Sequence, residues 1–378
     1  MGVPTSMLGS YLLHRGCFFN CKWFKIIQSN HMPRVLVVAT SRKTRGGITA
    51  VVKAHQAGPQ WREFHCRWIE TTRDGPAWRK LAYFAVALAR FACLLPAYDI
   101  VHIHMTASTS ARRKRVFFGL ARLLRKKTIV HFHPSGEQLL HDARNVRLLR
   151  AFFLRADRVV VLSELWRTLL ATLLGVTERV TVLYNPCPVV ERQPELKRPV
   201  VLFAGSVIAR KGYGCLIRAF ARVSGRHEGW RLVVAGNGEV GKARALARSL
   251  GIGGRVDFPG WVSGERKARA FNEASIFCLA SEGEGFPMAV LDAWAYGVPC
   301  VVTPVGGLPD IVAEGENALT FPVGDDGALA AQLDRLMADD ALRSRMAEAS
   351  LRLARTTFNI DTINRQLAQL YTEVGNKQ

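Results

Sequence analysis

The sequence predicts an α/β chain made of two doubly wound parallel-sheet domains in tandem, facing one another across a cleft. Three observations carry this expectation. Apolar runs of strand length recur and end in polar or glycine-bearing loops, as strands buried on both faces do. Helical stretches separate those runs, and such alternation builds βαβ units. The alternation breaks once, at a proline-rich charged stretch near the middle, and then restarts. With 378 residues, 49% hydrophobic and 22% charged, the chain has material for two large cores and is no disordered tail.

Taken in order, residues 1–31 hold Arg15, Lys22, Lys25 and the short apolar piece Gly16–Asn20, without the apolar length and cleavage site of a secretory leader. They read as a poorly defined extension, and Met32, directly before PRVLVVA, is an alternative start of translation. The first domain is expected over 32–186. Its strands are Val35–Ala39, Ile100–His104, Thr128–Phe132, Arg158–Leu162 and Val180–Leu183. The loop TSRKTRGG (Thr40–Gly47) leads to a helix over Ile48–His55, and further helices are expected near 79–95, 112–125, 145–155 and 164–174. Within the first of these, the apolar run Leu81–Leu95 contains Arg90 and is shorter than the ~20 residues of a membrane span. It reads as a core or interfacial helix.

The stretch Asn185–Pro199 carries four prolines and five charges, which suits an exposed connection, and 187–198 is taken as the linker. A second domain follows over 199–356, with strands Val200–Ala204, Arg231–Ala235, Val256–Phe258, Ile276–Leu279 and Cys300–Thr303. Its helices are expected near 213–226, 240–250, 265–273, 287–296 and 327–338. Both domains are therefore Rossmann-like. The segment 357–378 holds an amphipathic helix, Thr362–Tyr371, with no strand after it, and is expected to pack back on the first domain.

Charge divides the chain in the same place. Lys and Arg number 52 against 30 for Asp and Glu, but the first 190 residues carry +20 of the +22 net charge. That excludes a uniformly cationic coat and assigns any anionic partner to the first half. The densest block, Ala111–Lys127 (ARRKRVFFGLARLLRKK), has eight basic residues and no acid. Val116, Leu120, Leu123 and Leu124 keep helical spacing there, predicting one buried face and one cationic face over Arg112–Lys127. A cationic amphipathic helix fits a solvated sheet-covering face or an anionic membrane surface, and with the charge excess of this half the Arg112–Lys127 region is expected to contact an anionic membrane surface. Eight cysteines, at 17, 21, 66, 93, 187, 215, 278 and 300, form neither a disulfide framework nor paired CxxC zinc motifs, as in a reducing cytosol.

Ligands of doubly wound sheets bind at the carboxyl ends of the strands, so the loops after strands hold the candidate sites. The richest is SEGEGFPMAVLDAWAYGVP (Ser281–Pro299). Gly285 permits close backbone approach, and the free N–H groups of Phe286, Pro287's neighbours Met288 and Ala289 open a helix suited to phosphate. Glu284 stands just before that helix and Asp292 eight residues later, a spacing that predicts both acids along one face. Alone, such a pair reads first as a helix-terminal acid and a solvated helix residue.

This stretch resembles the E-x7-E motif of retaining GT-B glycosyltransferases, in particular glycosyltransferase family 4 of the bacterial polysaccharide-assembly type. Glu284 matches the first acid, which in that family contacts the donor sugar; Asp292, one methylene shorter, stands where the second contacts ribose. The loop FAGSVIARKGY (Phe203–Tyr213) resembles the family's G-R-L-x-x-x-K-G segment, with Gly205, Lys211 and Gly212 matching. Ser206 replaces the usual Arg, and Arg210 is the substitute expected beside Lys211 on the diphosphate. VVAGNGE and RVDFPGWVS resemble the strand ends flanking the nucleobase, with Trp261 and Val262 near the base. Gly46 and Gly47 resemble the family's glycine loop near the donor phosphates, and His133 in IVHFHPSG occupies the place of its active-site histidine. His131 is the alternative, and His102 and His104 share the spacing.

The resemblance implies a GT-B fold and transfer of a sugar from a nucleotide diphosphate sugar, with retention, to a saccharide or polyprenyl-linked saccharide in cell-surface polysaccharide synthesis. It further implies a cytoplasmic enzyme held peripherally at the inner face of the membrane. No strand-flanked Asp-x-Asp occurs, so no cofactor and no metal is expected, and charge on the leaving nucleotide falls to fixed groups. Two rivals stay open: a polyanion-binding protein using the basic half, although no nucleic-acid module is recognisable and no nucleic acid is expected, and an inactive relative, prompted by Ser206 and Asp292.

Overall fold

The computed structural model describes residues 32–376; the extension 1–31, with Cys17 and Cys21, lies outside the described residues. In chain order the first domain runs β1 (Val35–Ala39), α1 (Gly47–Ala57), α2 (Gln60–Glu63), β2 (Arg67–Glu70), α3 (Ala77–Leu94), β3 (Ile100–Met105), α4 (Thr109–Leu123), β4 (Lys127–Phe132), α5 (Ala143–Phe153), β5 (Arg158–Val161), α6 (Glu164–Leu174) and β6 (Val180–Val182). The second runs β7 (Val200–Ala204), α7 (Tyr213–Ser224), β8 (Arg231–Ala235), α8 (Val240–Ser249), β9 (Val256–Asp257), α9 (Glu265–Glu273), β10 (Ile276–Leu279), α10 (Met288–Ala295), β11 (Cys300–Val302), β12 (Ala318–Thr320), α11 (Asp326–Ala338) and α12 (Asp340–Arg355). Helix α13 (Ile360–Asn376) ends the described chain.

Each domain holds one six-stranded sheet, ordered β2-β1-β3-β4-β5-β6 and β12-β11-β10-β7-β8-β9. Neighbouring strands pair in parallel throughout, for example β1 on β3 and β7 on β10. The order of each sheet reverses once, between β1 and β3 in the first and between β7 and β10 in the second. Crevices open outside the strand ends at such switch points. The loops after β7 and β10 carry Lys211 and Glu284, so topology alone brings together residues 73 positions apart.

The central strands are buried along their whole length, as unbroken apolar runs require. Two strands and one long helix were not legible. Strand β2 reads RWIE, with only Trp68 and Ile69 buried, and β12 has three residues at an edge; edge strands are short and half polar, so no apolar run marks them. Helix α12 follows α11 across the single residue Asp339, whose carboxylate caps it by accepting from the Leu342 amide at 2.7 Å.

Helix α13 crosses back onto the first domain. Ile363, Leu367, Leu370, Tyr371 and Val374 share one buried cluster with Val35, Val37, Phe64 and Ile129. Polar contacts fix its register: His55 Nδ1 to Asn364 Oδ1 at 2.9 Å and His102 Nδ1 to the Tyr371 hydroxyl at 2.7 Å.

The surface of the first domain departs from expectation in two ways. Helix α3 and the turn after it, Ala77–Ala97, are long and apolar enough to span a bilayer by length and composition, more than the Leu81–Leu95 run suggests. Yet β2 before it and β3 after it both pair with β1, so α3 connects two strands of one sheet and is held against it by Ala87 and Phe91. On α4 three of the four residues of the predicted buried stripe face outward: Val116, Leu123 and Leu124 are exposed and Leu120 is half-buried against the core, while Ala111, Lys114, Phe117, Phe118 and Ala121 are buried. Phe117 takes the inner place because its ring meets Phe84 and Phe91 edge-on at 5.6 and 5.0 Å.

Candidate active site

Glycine shapes the loop after β7. Gly212 takes φ 69°, and a Cβ there would overlap the carbonyl of Ala280 at the end of β10, so only glycine lets the two loops touch. The preceding turn, Ala209–Lys211, then aims Lys211 across the switch point. Its ammonium forms an ion pair with Glu284, whose other support is the Ser281 hydroxyl, donating to Oε1 at 2.6 Å. Glu284 is buried and Lys211 only one-fifth exposed. A buried pair of this kind is costly to assemble and costly to break, so the arrangement is a fixed one.

The remaining predicted donor residues distribute as follows. Glu284 lies in the loop and α10 starts only at Met288, so the two acids do not share a helix face. Asp292, on α10, is buried and paired with Lys267 of α9 at 2.7 Å; burial raises its pKa, against the pull of Lys267. Arg210 Nη1 donates to the Ser135 carbonyl at 2.7 Å and to the Gly283 carbonyl, strapping the first domain to the second. Both bonds come from Nη1, so the N–H groups of Nε and Nη2 remain for a ligand beside Lys211. Ser206 is exposed and supplies no substitute.

Gly285 lies so close to the first domain that a Cβ would overlap the Pro134 carbonyl. Its own carbonyl accepts from Trp166 Nε1 at 3.3 Å, and that of Phe286 accepts from Asn185 Nδ2 at 3.2 Å. The Phe286 ring is spent on packing against Tyr184 and Phe358. Pro287 caps α10; its carbonyl accepts from the Val290 amide at 3.1 Å, and the amides of Met288 and Ala289 have no partner within the helix. Met288 faces the glycine loop: a Cβ on Gly47 would touch its side chain, and Gly46 takes φ 147° where α1 begins. Gly205 follows β7 and bonds Ala235 at the end of β8. The Trp261 amide donates to Asn237 Oδ1 at 3.0 Å, Val262 is half-buried beside it, and the guanidinium of Arg45 lies 5.5 Å from the Trp261 ring centroid. Arg45 and Lys267 were missed because neither sits within a recognisable motif.

His133 follows β4 directly before Pro134, so it reaches the gap where the two domains meet. It is buried, and its Nε2 shares a hydrogen bond with His104 Nδ1 at 2.9 Å. Burial, with the charge of Lys114 and then that of His55, pushes its pKa down to about 3. A neutral imidazole can donate or accept toward a sugar hydroxyl without adding charge. Behind it stand His102, His104 and His131, also buried and held well below the usual histidine range by burial. Ligand nitrogens of these three lie within 4.8 Å of one another, the set among the described residues with metal-ligand chemistry. Both ring nitrogens of His131 lack a partner.

Two family models match in succession. Residues 34–189 match the family model of glycosyltransferase family 4 and residues 190–352 that of glycosyl transferases group 1, dividing the chain where the two sheets divide. The chain carries a glycosyltransferase family 4 domain followed by a glycosyl transferases group 1 domain. Among curated relatives of this glycosyltransferase, LpsE of Rhizobium meliloti, a lipopolysaccharide core biosynthesis glycosyltransferase, is 36% identical over 151 residues. That match covers 40% of this chain and 43% of LpsE, so the chain spans less than half the length of that relative. WcaL of Salmonella typhimurium, named for colanic acid biosynthesis, is 26% identical over 320 residues, covering 80% and 77% of the two chains. The fold matches solved GT-B structures. Anabaena HepE in complex with UDP-glucose superposes with a TM-score of 0.74 at 18% identity, over 90% of this chain and 100% of that one. Sucrose-phosphate synthase of Thermosynechococcus elongatus gives 0.76 at 19%, over 90% and 99%.

Proposed function

We propose that this glycosyltransferase moves a sugar from a nucleotide diphosphate sugar to a saccharide or lipid-linked saccharide, with retention, in bacterial cell-surface polysaccharide synthesis. The observation that carries the reading is the Lys211–Glu284 pair at the switch point of the second sheet. The ammonium meets the diphosphate, the carboxylate accepts hydrogen bonds from donor-sugar hydroxyls, and the first turn of α10 adds unpaired amides. Asp292 serves the ribose side, Trp261 and Val262 the base, and neutral His133 borders the reacting carbon. Relatives named for lipopolysaccharide and colanic acid assembly support the substrate class, and a structural neighbour was crystallised with UDP-glucose.

Retention follows from attack on the face that the nucleotide leaves, with the departing phosphate taking the acceptor proton and fixed charges standing in for a metal. Proton NMR of the earliest product is the test. The expected sugar keeps the donor's anomeric configuration and forms at an unchanged rate in EDTA; the opposite anomer overturns retention, and loss of rate in EDTA overturns metal independence.

The acceptor half works at an anionic membrane in this reading. Trp78, Leu81 and Val86 of α3 and Leu123 of α4 are 60–74% exposed, flanked by Arg79, Lys80, Arg90, Arg112, Arg115, Arg122 and Arg125 on the surface. Apolar area that water would otherwise cover enters the headgroup layer, and each nearby cation adds about 1 kcal/mol on anionic lipid. The chain is expected to sediment with phosphatidylglycerol vesicles at least ~10-fold more than with phosphatidylcholine vesicles, and Leu81→Ser with Val86→Ser is expected to abolish that difference. Equal sedimentation with both lipids contradicts the assignment.

A further inference from the structure

A second charged pair beside the donor loops joins α9 to α10: Lys267 Nζ lies 2.7 Å from Asp292 Oδ1. Asp292 is buried but keeps 11% of its side chain exposed, and Lys267 keeps 38%. The other carboxylate oxygen, Oδ2, has no hydrogen-bond partner among the described residues and is not one of the atoms sealed in the core. An ionised carboxylate offers about four acceptor sites, so capacity is left over on the side away from Lys267.

Two contacts across the cleft show where that side faces. Met288 and Asp292 stand four residues apart on α10 and so share a helix face. A Cβ on Gly47 of the first domain would lie 3.9 Å from the Met288 side chain, so this face borders the glycine loop. On the other flank, Arg45 of the first domain reaches to 5.5 Å from the Trp261 ring centroid, and Trp261 lies in the loop that leads into α9. Asp292 therefore stands between the first turn of α10 and the Trp261 loop, the interval that a pentose fills between a diphosphate and a base.

Packing fixes the lysine in place. Its ammonium lies 5.8 Å from the Phe271 ring centroid, and Phe271 stacks on Tyr296, at the end of α10, with 5.5 Å between centroids. Asp292 is short, so its rotamer decides whether Oδ2 meets a ligand at all. Burial raises its pKa, and the charge of Lys267 works against that rise.

We infer that Lys267 is a positioning residue for the donor: it pins Oδ1 of Asp292 so that Oδ2 accepts from one ribose hydroxyl, and the site thereby selects ribonucleotides over nucleotides lacking that hydroxyl. The inference rests on the glycosyltransferase reading and deepens it, adding the side chain that sets ribose selectivity. A hydroxyl donating to an ionised carboxylate is a charge-assisted hydrogen bond, and losing it weakens binding by about 10- to 100-fold.

The test is titration calorimetry of the full chain with UDP, GDP and ADP, and with the dideoxy counterpart of whichever binds most tightly, which lacks both ribose hydroxyls. The wild type is compared with Lys267→Met, with Lys267→Arg and with Lys267→Met combined with Asp292→Asn. The wild type is expected to favour the ribonucleotide by about 10- to 100-fold and Lys267→Met by less than about 3-fold. Lys267→Arg still carries a cation that can meet the carboxylate and is expected to recover part of the preference. The double variant leaves no buried unpaired carboxylate, so it is expected to melt near the wild type while showing the same loss of preference. A lower Tm in Lys267→Met with an unchanged ribose preference assigns the lysine to packing of α9 on α10 and overturns the inference. Equal binding of the two nucleotide forms by the wild type overturns it as well, and leaves the glycosyltransferase reading standing. Binding of none of the three diphosphates overturns that reading itself, so the two failures are distinguishable.

Discussion

Glu284→Gln and Lys211→Ala are each expected to lower sugar transfer by about 10²- to 10³-fold, the size of effect seen when one fixed electrostatic contact to a reacting centre is removed. The single variants alone do not separate catalysis from folding. Lys211→Ala leaves the buried Glu284 carboxylate with only the Ser281 hydroxyl, and breaking a buried pair costs on the order of 3–5 kcal/mol. The decisive variant is Lys211→Met with Glu284→Gln together. It removes both charges, keeps side-chain volume and leaves an amide that Ser281 can still meet, so its Tm is expected within a few degrees of the wild type. If the pair only braces two loops, this double variant is stable and active. If the pair holds the donor, it is stable and inactive, which is the outcome expected here from parallel Tm and transfer measurements.

The second large effect is on acid stability. His55 and His133 are held neutral, at about 4 and about 3, chiefly by burial, against about 6.5 in an unfolded chain. The unfolded state therefore binds protons that the folded state refuses, and stability falls as pH drops from about 6.5 toward those folded values. At pH 5 each of the two contributes on the order of 2 kcal/mol of loss, a substantial part of the 5–15 kcal/mol of a typical domain. His102, His104 and His131 shift in the same direction for the same reason. All five belong to the first domain, whereas the second has its His227 partly buried and paired with Asp334. Calorimetric scans from pH 7.5 to 5 are expected to show the first domain melting at steadily lower temperature and separating from the second. A single transition that does not move with pH contradicts the buried neutral cluster.

Much of the fold was legible because central parallel strands are apolar on both faces, and Val35–Ala39 or Ile276–Leu279 cannot be mistaken for loops. Strands β2 and β12 were not, since each lies at a sheet edge and needs only part of its short length buried. Lys211 and Glu284 were legible because they follow strands in glycine-bearing loops that meet at a switch point. Lys114 was hidden inside RRKR, where a run of charge reads as solvated surface. The signal lay in phase: it stands three residues from Ala111 and Phe117 and seven from Ala121, all on the buried face of α4. The same phase error placed Val116, Leu123 and Leu124 inside when they are outside. Arg210 shows what motif reading leaves out, since residue type suggested phosphate but not the interdomain bond that its Nη1 makes to the Ser135 carbonyl.

Everything proposed for the donor depends on the loop ends that carry Lys211, Glu284 and the first turn of α10. Titration calorimetry of the full chain with UDP-, GDP- and ADP-sugars measures that most directly. One nucleotide sugar is expected to bind the wild type in the micromolar range and to bind the Lys211→Met, Glu284→Gln double variant at least ~10-fold more weakly. Absence of heat with all three on a folded wild-type chain, or equal affinity in the double variant, contradicts the account.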